Sequence, residues 1–374
     1  MLWGGPSDCP ERNSLNPGFG PSCLSYSWER IKVFIRNARS AIKAAILCVG
    51  IATCTVAAAA DQLVPLHVRL DWSTWGLHAP FFLAQQKGWF KAQGLDVHID
   101  DGNGSIGTVQ IVASGDEYDV GLATSAAVMI GREKGLPAKI VAELAGRNEL
   151  GLIVPSGSST KDVASMKGRA IAFTGSSMEA PFIDSFLAAS GLKRSDVQLM
   201  NMDAAAKNTA YVVSRVDGVF SPVPSVMPLL TGKRPSKAFL FSDYGLSMPS
   251  FCLFVKDDDV AKEHDALVKF SSVIASTWAY IYNGHEAEAA DAMIAGRPHA
   301  HLDRKVLMGQ IDGLKQFIVP AAGDSRPLGV PSELDYAAAI KTLSRVHLLS
   351  ANHQATEFFA PGFVQPTVDK VAKQ

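Results

Sequence analysis

From Leu66 onward, short runs rich in β-branched and aromatic residues alternate with segments whose apolar positions recur at helical spacing. That alternation marks an α/β architecture. Strands are predicted at 66–71, 95–99, 118–123, 139–144 and 151–154, and helices at 79–93, 108–114 and 125–134. Gly94, Gly115 and Gly135 follow these helices, Gly94 where a left-handed cap is wanted. A second set follows, with strands at 168–173, 197–201, 218–220 and 237–241 and helices at 178–190, 204–214 and 225–230. The run 251–255 reads as a return to the first set, and 259–346 is mainly helical. Both sets carry an Asp-led apolar strand, Tyr118-Asp119-Val120-Gly121 and Val216-Asp217-Gly218-Val219. Two similar lobes joined by two crossings enclose a cleft, and ligands bind beyond the carboxyl ends of such strands. The expected organisation is a leader over 1–60, a first lobe over 61–154 and a second over 155–249. Residues 250–374 then supply the return strand and C-terminal helices.

The leader is set apart by its pattern. Arg30, Lys32, Arg36, Arg39 and Lys43 precede an apolar run, 44–56, that ends in Ala58-Ala59-Ala60 and Asp61. A cationic segment, a short apolar segment and an A-x-A end describe a secretory signal peptide. Cleavage after Ala60 and periplasmic localisation are therefore expected. Cys9, Cys23, Cys48 and Cys54 would leave with the leader, so Cys252 could form no internal disulfide. With 35 Lys and Arg against 36 Asp and Glu, the net charge of −1 argues against nucleic acid as a partner. A hydrophobic fraction of 47% excludes a disordered chain.

Candidate chemistry sits after the strands. Asp71-Trp72-Ser73-Thr74-Trp75-Gly76-Leu77-His78 follows the first strand, and Trp72, Trp75 and His78 are candidate ligand contacts, since an indole face stacks on planar rings. Gly102-Asn103-Gly104-Ser105-Ile106-Gly107 matches G-x-G-x-x-G but follows the second strand and lacks the acidic residue of a dinucleotide site. Asn103 and Gly104 are instead assigned to a cleft turn. Gly175, Ser176, Ser177 and Glu179 open a helix, with Ser176 and Glu179 at capping-box spacing. A helix start with free N–H groups also suits a polar ligand. Thr124, Ser125 and Ser221 end strands in the same way, and Arg147 is the nearest candidate carboxylate clamp. No catalytic motif is present, and no cofactor or metal is called for; His299 and His301 read as a surface turn.

The segments Asp71-Trp72, His78-Ala79-Pro80-Phe81-Phe82-Leu83-Ala84-Gln85-Gln86-Lys87-Gly88-Trp89-Phe90 and Gly94-Leu95-Asp96-Val97 resemble a known family. It is that of ABC-transporter solute-binding proteins for nitrate, sulfonates, taurine and thiamine pyrimidine precursors, together with the fungal thiamine-pyrimidine synthases. The resemblance runs from Leu66 to about Ala300. It implies a two-lobed periplasmic-binding-protein (venus-flytrap, type II) fold with C-terminal helices packed on the first lobe. It also implies a small-molecule solute, a permease of the inner membrane as partner, and a monomer. The alternatives are a synthase-like enzyme and a secreted sensory module. Against the enzyme, the positions where the synthases carry a Lys and a His look like Ala123 and Ala127, and their Cys-rich segment corresponds to 246–252, with Cys252 alone.

Overall fold

The computed structural model describes residues 63–175, 177–319 and 325–365; the leader, with its expected cleavage site, lies outside them. Two five-stranded sheets form the frame. The first has the order β2-β1-β3-β10-β4, from β1 (Val64–Arg69), β2 (Leu95–Asp100), β3 (Val120–Thr124), β4 (Ala138–Glu143) and β10 (Phe251–Lys256). The second has the order β7-β6-β8-β5-β9, from β5 (Leu150–Pro155), β6 (Ala170–Phe173), β7 (Gln198–Asn201), β8 (Gly218–Pro222) and β9 (Ser236–Leu240).

Each sheet holds one antiparallel strand among parallel ones. β10 runs antiparallel to β3 and β4, and β5 antiparallel to β8 and β9. These two strands are where the chain has just crossed between sheets, at 144–149 and at 241–250. The sequence pattern grouped 151–154 with the first set; its pairing with β8 and β9 puts it in the second sheet. An apolar buried strand reads alike in either sheet, and both partners of β5 come later in the chain.

Local chemistry adjusts several boundaries. The helix expected over 79–93 breaks after Ala79–Gln86, because Gly88 takes φ +71° before a short turn at Trp89–Ala92. The helix expected from 178 starts late, as a tight turn at Ala180–Phe182 and then Ile183–Ala188. Glu179, expected in a capping box with Ser176, pairs its carboxylate with Lys207, while Ser176 lies outside the described residues. Among the described residues, no helix is long and apolar enough to cross a membrane.

The C-terminal helices pack on the first lobe, with His264–Tyr280 and Glu286–Gly296 both against Ala79–Gln86. Helix Arg304–Ile318 goes further and also packs against Val223–Thr231 of the second lobe.

The packing is tight at the centre of the first sheet. Gly121 in β3 lies opposite Phe254 in β10, and a Cβ there would stand 2.2 Å from that buried ring. We expect Gly121→Ala to lower stability by about 1–3 kcal/mol, the usual cost of overpacking a core. Denaturant unfolding checks this, and an unchanged midpoint would contradict the registered β3–β10 pairing.

Candidate functional site

The carboxyl ends of both sheets border the crossings. β4 runs directly into the first crossing, and the ladder of β5 and β8 continues past their ends through Val223 N–H donating to Glu149 O at 3.0 Å. The start of the first crossing is bonded to β10 through Leu144 and Ala145 N–H donating to Phe251 O, and the end of the second crossing is bonded to the first through Ser250 N–H donating to Ala145 O.

In the first lobe the loop after β1 is fixed by a relay. Trp75 N–H donates to Nδ1 of His78 at 3.2 Å, so the ring proton sits on Nε2 and is donated to Asp71 Oδ1 at 2.7 Å. His78 is completely buried and serves to hold Asp71. Trp75 is also buried, edge-on to Phe251 and His78. Trp72 differs, since 48% of its surface is exposed.

The glycine-rich turn after β2 packs on this loop. Gly102 and Gly104 N–H groups donate to Trp72 O and Asp71 O at 3.2 and 2.7 Å. A Cβ at Gly102 would lie 2.0 Å from Leu70 O, and Gly104 has φ +136°. The two glycines are thus explained by loop-to-loop contact, and Asn103 is exposed beside them. After β3, Thr124 Oγ1 caps the next helix by accepting Ala127 N–H at 3.3 Å, and Ser125 Oγ lies 3.2 Å from the Tyr336 hydroxyl.

The second lobe contributes the ends of β6 and β8. Gly175 N–H donates to Asn201 Oδ1 at 2.9 Å, and Ser177 Oγ to Thr174 O at 2.6 Å; Ser176 lies outside the described residues. Glu179 is buried and paired with Lys207, whose Nζ donates both to Glu179 Oε1 and to Phe220 O at 2.7 Å. Two hydroxyls, Ser221 Oγ and Thr174 Oγ1, are buried with no hydrogen-bond partner among the described residues. Parallel pairing of β6 with β8 at Ala172 and Val219 brings these two to the same level.

Between the lobes stands a residue that the sequence pattern does not single out. Glu149, 2% exposed, accepts a hydrogen bond from Ser250 Oγ, and this bond joins the two crossings together with Asn148 Nδ2 donating to Leu246 O and Ser250 N–H donating to Ala145 O. Burial pushes its carboxyl up to about 7, against the pull of the Ser250 bond, and the negative charges of Asp71 and Glu179 push the same way. Asp71 from the first lobe, Glu149 from the crossing and Glu179 from the second are therefore one electrostatic group. Arg147 is not available to it, being paired with Asp243 and Ser242. Sequence alone offers one weak signal for Glu149, a lone carboxylate leading an apolar strand.

The two lobes, with strand ends meeting at a double crossing, define the periplasmic-binding-protein fold. The sulfonate-binding protein SsuA of Escherichia coli has it, with TM-score 0.61 at 14% identity over 80% of this chain and 94% of that one. So does the nitrate-binding protein NrtA of Synechocystis, with TM-score 0.57 at 15% identity over 80% and 86%. Within that fold, residues 75–288, more than half of the chain, match the NMT1/THI5-like family model, and the chain belongs to that family. The 4-amino-5-hydroxymethyl-2-methylpyrimidine phosphate synthase THI11 of Saccharomyces cerevisiae is 35% identical over 107 residues, 28% of this chain and 31% of that protein. The chain therefore matches only about a third of the length of such curated relatives. A Haemophilus influenzae protein named for thiamine biosynthesis is 23% identical over 63% of this chain and 74% of its own.

The raised Glu149 carboxyl has a consequence for stability. Between its ordinary value of 4.5 and about 7 the folded protein holds a proton that the unfolded chain releases, so stability falls as pH rises through that window. The loss is about 3 kcal/mol once pH exceeds 7. Glu149→Gln keeps an acceptor for Ser250 and removes the titration. We expect the variant to lose correspondingly less stability between pH 5 and pH 8 in denaturant unfolding; parallel profiles would contradict it.

Proposed function

We propose that this chain is the solute-binding component of an ABC importer, exported to the periplasm. We further propose that it takes an amino-bearing heteroaromatic solute of the thiamine-pyrimidine-precursor class. The observation that carries the reading is the acidic group between the lobes. A sulfonate, nitrate or aromatic acid would have to be desolvated beside Asp71, Glu149 and Glu179, with the nearby Lys207 already committed to Glu179. An amino group supplies the donors that carboxylates lack, and the Ser221 and Thr174 hydroxyls suit the mixed donors and acceptors along a pyrimidine edge. The exposed Trp72 adds a stacking face. His78 and the glycine turn would act indirectly, by holding Asp71 and Trp72 in place. Closure of the lobes over the solute would give the permease a distinct form to read, to the extent that the solute binds the closed form better.

The enzyme alternative has less support. The positions matched to the Lys and His of the synthases are the buried Ala123 and Ala127, which offer neither an amine nor an imidazole.

Calorimetric titration with 4-amino-5-hydroxymethyl-2-methylpyrimidine, taurine, nitrate and benzoate tests the reading. We expect the aminopyrimidine to bind and the three anions not to. Trp72→Ala should weaken that binding by about 1–3 kcal/mol, by analogy with base–aromatic stacking, and leave the melting temperature of the free protein nearly unchanged. Binding of an anion alone would overturn the assignment of the solute.

A further inference from the structure

Apart from the two chain crossings, the lobes meet through helix Arg304–Ile318, and one side chain on it bonds to both. Gln310 is 5% exposed and sits in the apolar stripe of Leu307, Ile311, Leu314 and Phe317. Its Oε1 accepts Gly76 N–H at 2.9 Å, and its Nε2 donates to Ser225 O at 2.8 Å. A backbone donor on one side and a carbonyl on the other leave no ambiguity about which way the amide points.

The two partners belong to opposite lobes. Gly76 is in the loop after β1, beside Trp75, and Ser225 is in the first turn of the helix after β8. Both follow the carboxyl end of a strand, so Gln310 joins the two rims of the candidate site. Missing side chains allow the close approach. A Cβ at Gly76 would stand 2.6 Å from Gln310 Cβ, and one at Gly309 3.0 Å from Pro228. Gly313 faces Pro224 one turn further along the same side of the helix.

We propose that Gln310 is a latch that holds the second lobe against the first and so sets the open–closed balance of the ligand-free protein. The Gly76 bond keeps the amide aligned from within the first lobe. The Ser225 bond must break when the second lobe swings away, and water then takes its place. One such hydrogen bond, lost while water satisfies both groups, should shift the balance roughly five-fold towards the open form.

Spin labels at Ile106→Cys and Met200→Cys, on the exposed strand-end surfaces of the two lobes, report the opening. The full chain is used, with Cys9, Cys23, Cys48 and Cys54 changed to Ser; Cys252 is buried and stays unlabelled. Gln310→Glu keeps the acceptor for Gly76 and loses the donor to Ser225, whereas Gln310→Met loses both at similar volume. Without ligand, both variants should gain a longer-distance population relative to the parent. Gln85→Ala, which removes a bond to Val97 O inside the first lobe, should not. Distance distributions unchanged in folded Gln310 variants would overturn the latch. So would failure of both variants to fold, which would make Gln310 a folding residue instead. Because no ligand is present, the result is independent of which solute the cleft takes.

Discussion

A set of hydrogen bonds ties together the two chain segments that pass between the lobes, among them the buried Ser250 Oγ donating to the Glu149 carboxylate, Asn148 Nδ2 donating to Leu246 O and Ser250 N–H donating to Ala145 O. Each segment leads into the antiparallel strand of the sheet it enters, so these bonds lie where both sheets present their strand ends. Backbone bonds from Leu144 and Ala145 fasten the first crossing to β10 of the first lobe, Ser250 N–H bonds the second crossing to the first, and Val223 fastens the first crossing to the second lobe.

The Ser250–Glu149 contact places a carboxyl where burial and neighbouring charge resist its ionisation. Such a group is costly to bury. His78 neutralises none of the surrounding charge, because its proton is shared with Asp71 while Nδ1 stays an acceptor. Lys207 balances Glu179 alone. Among the described residues, the region between the lobes is therefore short of uncommitted positive charge. That polarity is what the proposed solute, one that brings donors with it, would meet.

Much of the fold was legible in the sequence, because it rests on local signals. Strand runs such as 118–123 and glycine caps such as Gly94 depend only on near neighbours. Of the failures, one was local, since Gly88 at φ +71° breaks the helix expected over 79–93, and another came from partners far along the chain. The strand at 150–155 was assigned to the wrong sheet because its partners lie far along the chain. The helix expected from 178 begins instead with a tight turn at Ala180–Phe182, and Glu179 before it pairs with a lysine 28 residues away. The candidate site divides in the same way. The aromatic loop after β1 was visible as an unusual local pattern, although only the structure separates exposed Trp72 from buried Trp75 and His78. Glu149, Lys207 and Gln310 carry no local motif; each matters through a partner on another element.

The central claim is that Glu149 meets the solute as a carboxylate. A carboxyl with its midpoint near 7 is about half protonated at pH 7, so a ligand that donates to it should expel about half a proton per site. Calorimetry of aminopyrimidine binding at pH 7, in buffers of different ionisation enthalpy, counts that proton. The account predicts that the wild-type protein releases about half a proton more than Glu149→Gln. Equal proton counts in the two proteins, or a net uptake in the wild type relative to the variant, would contradict it.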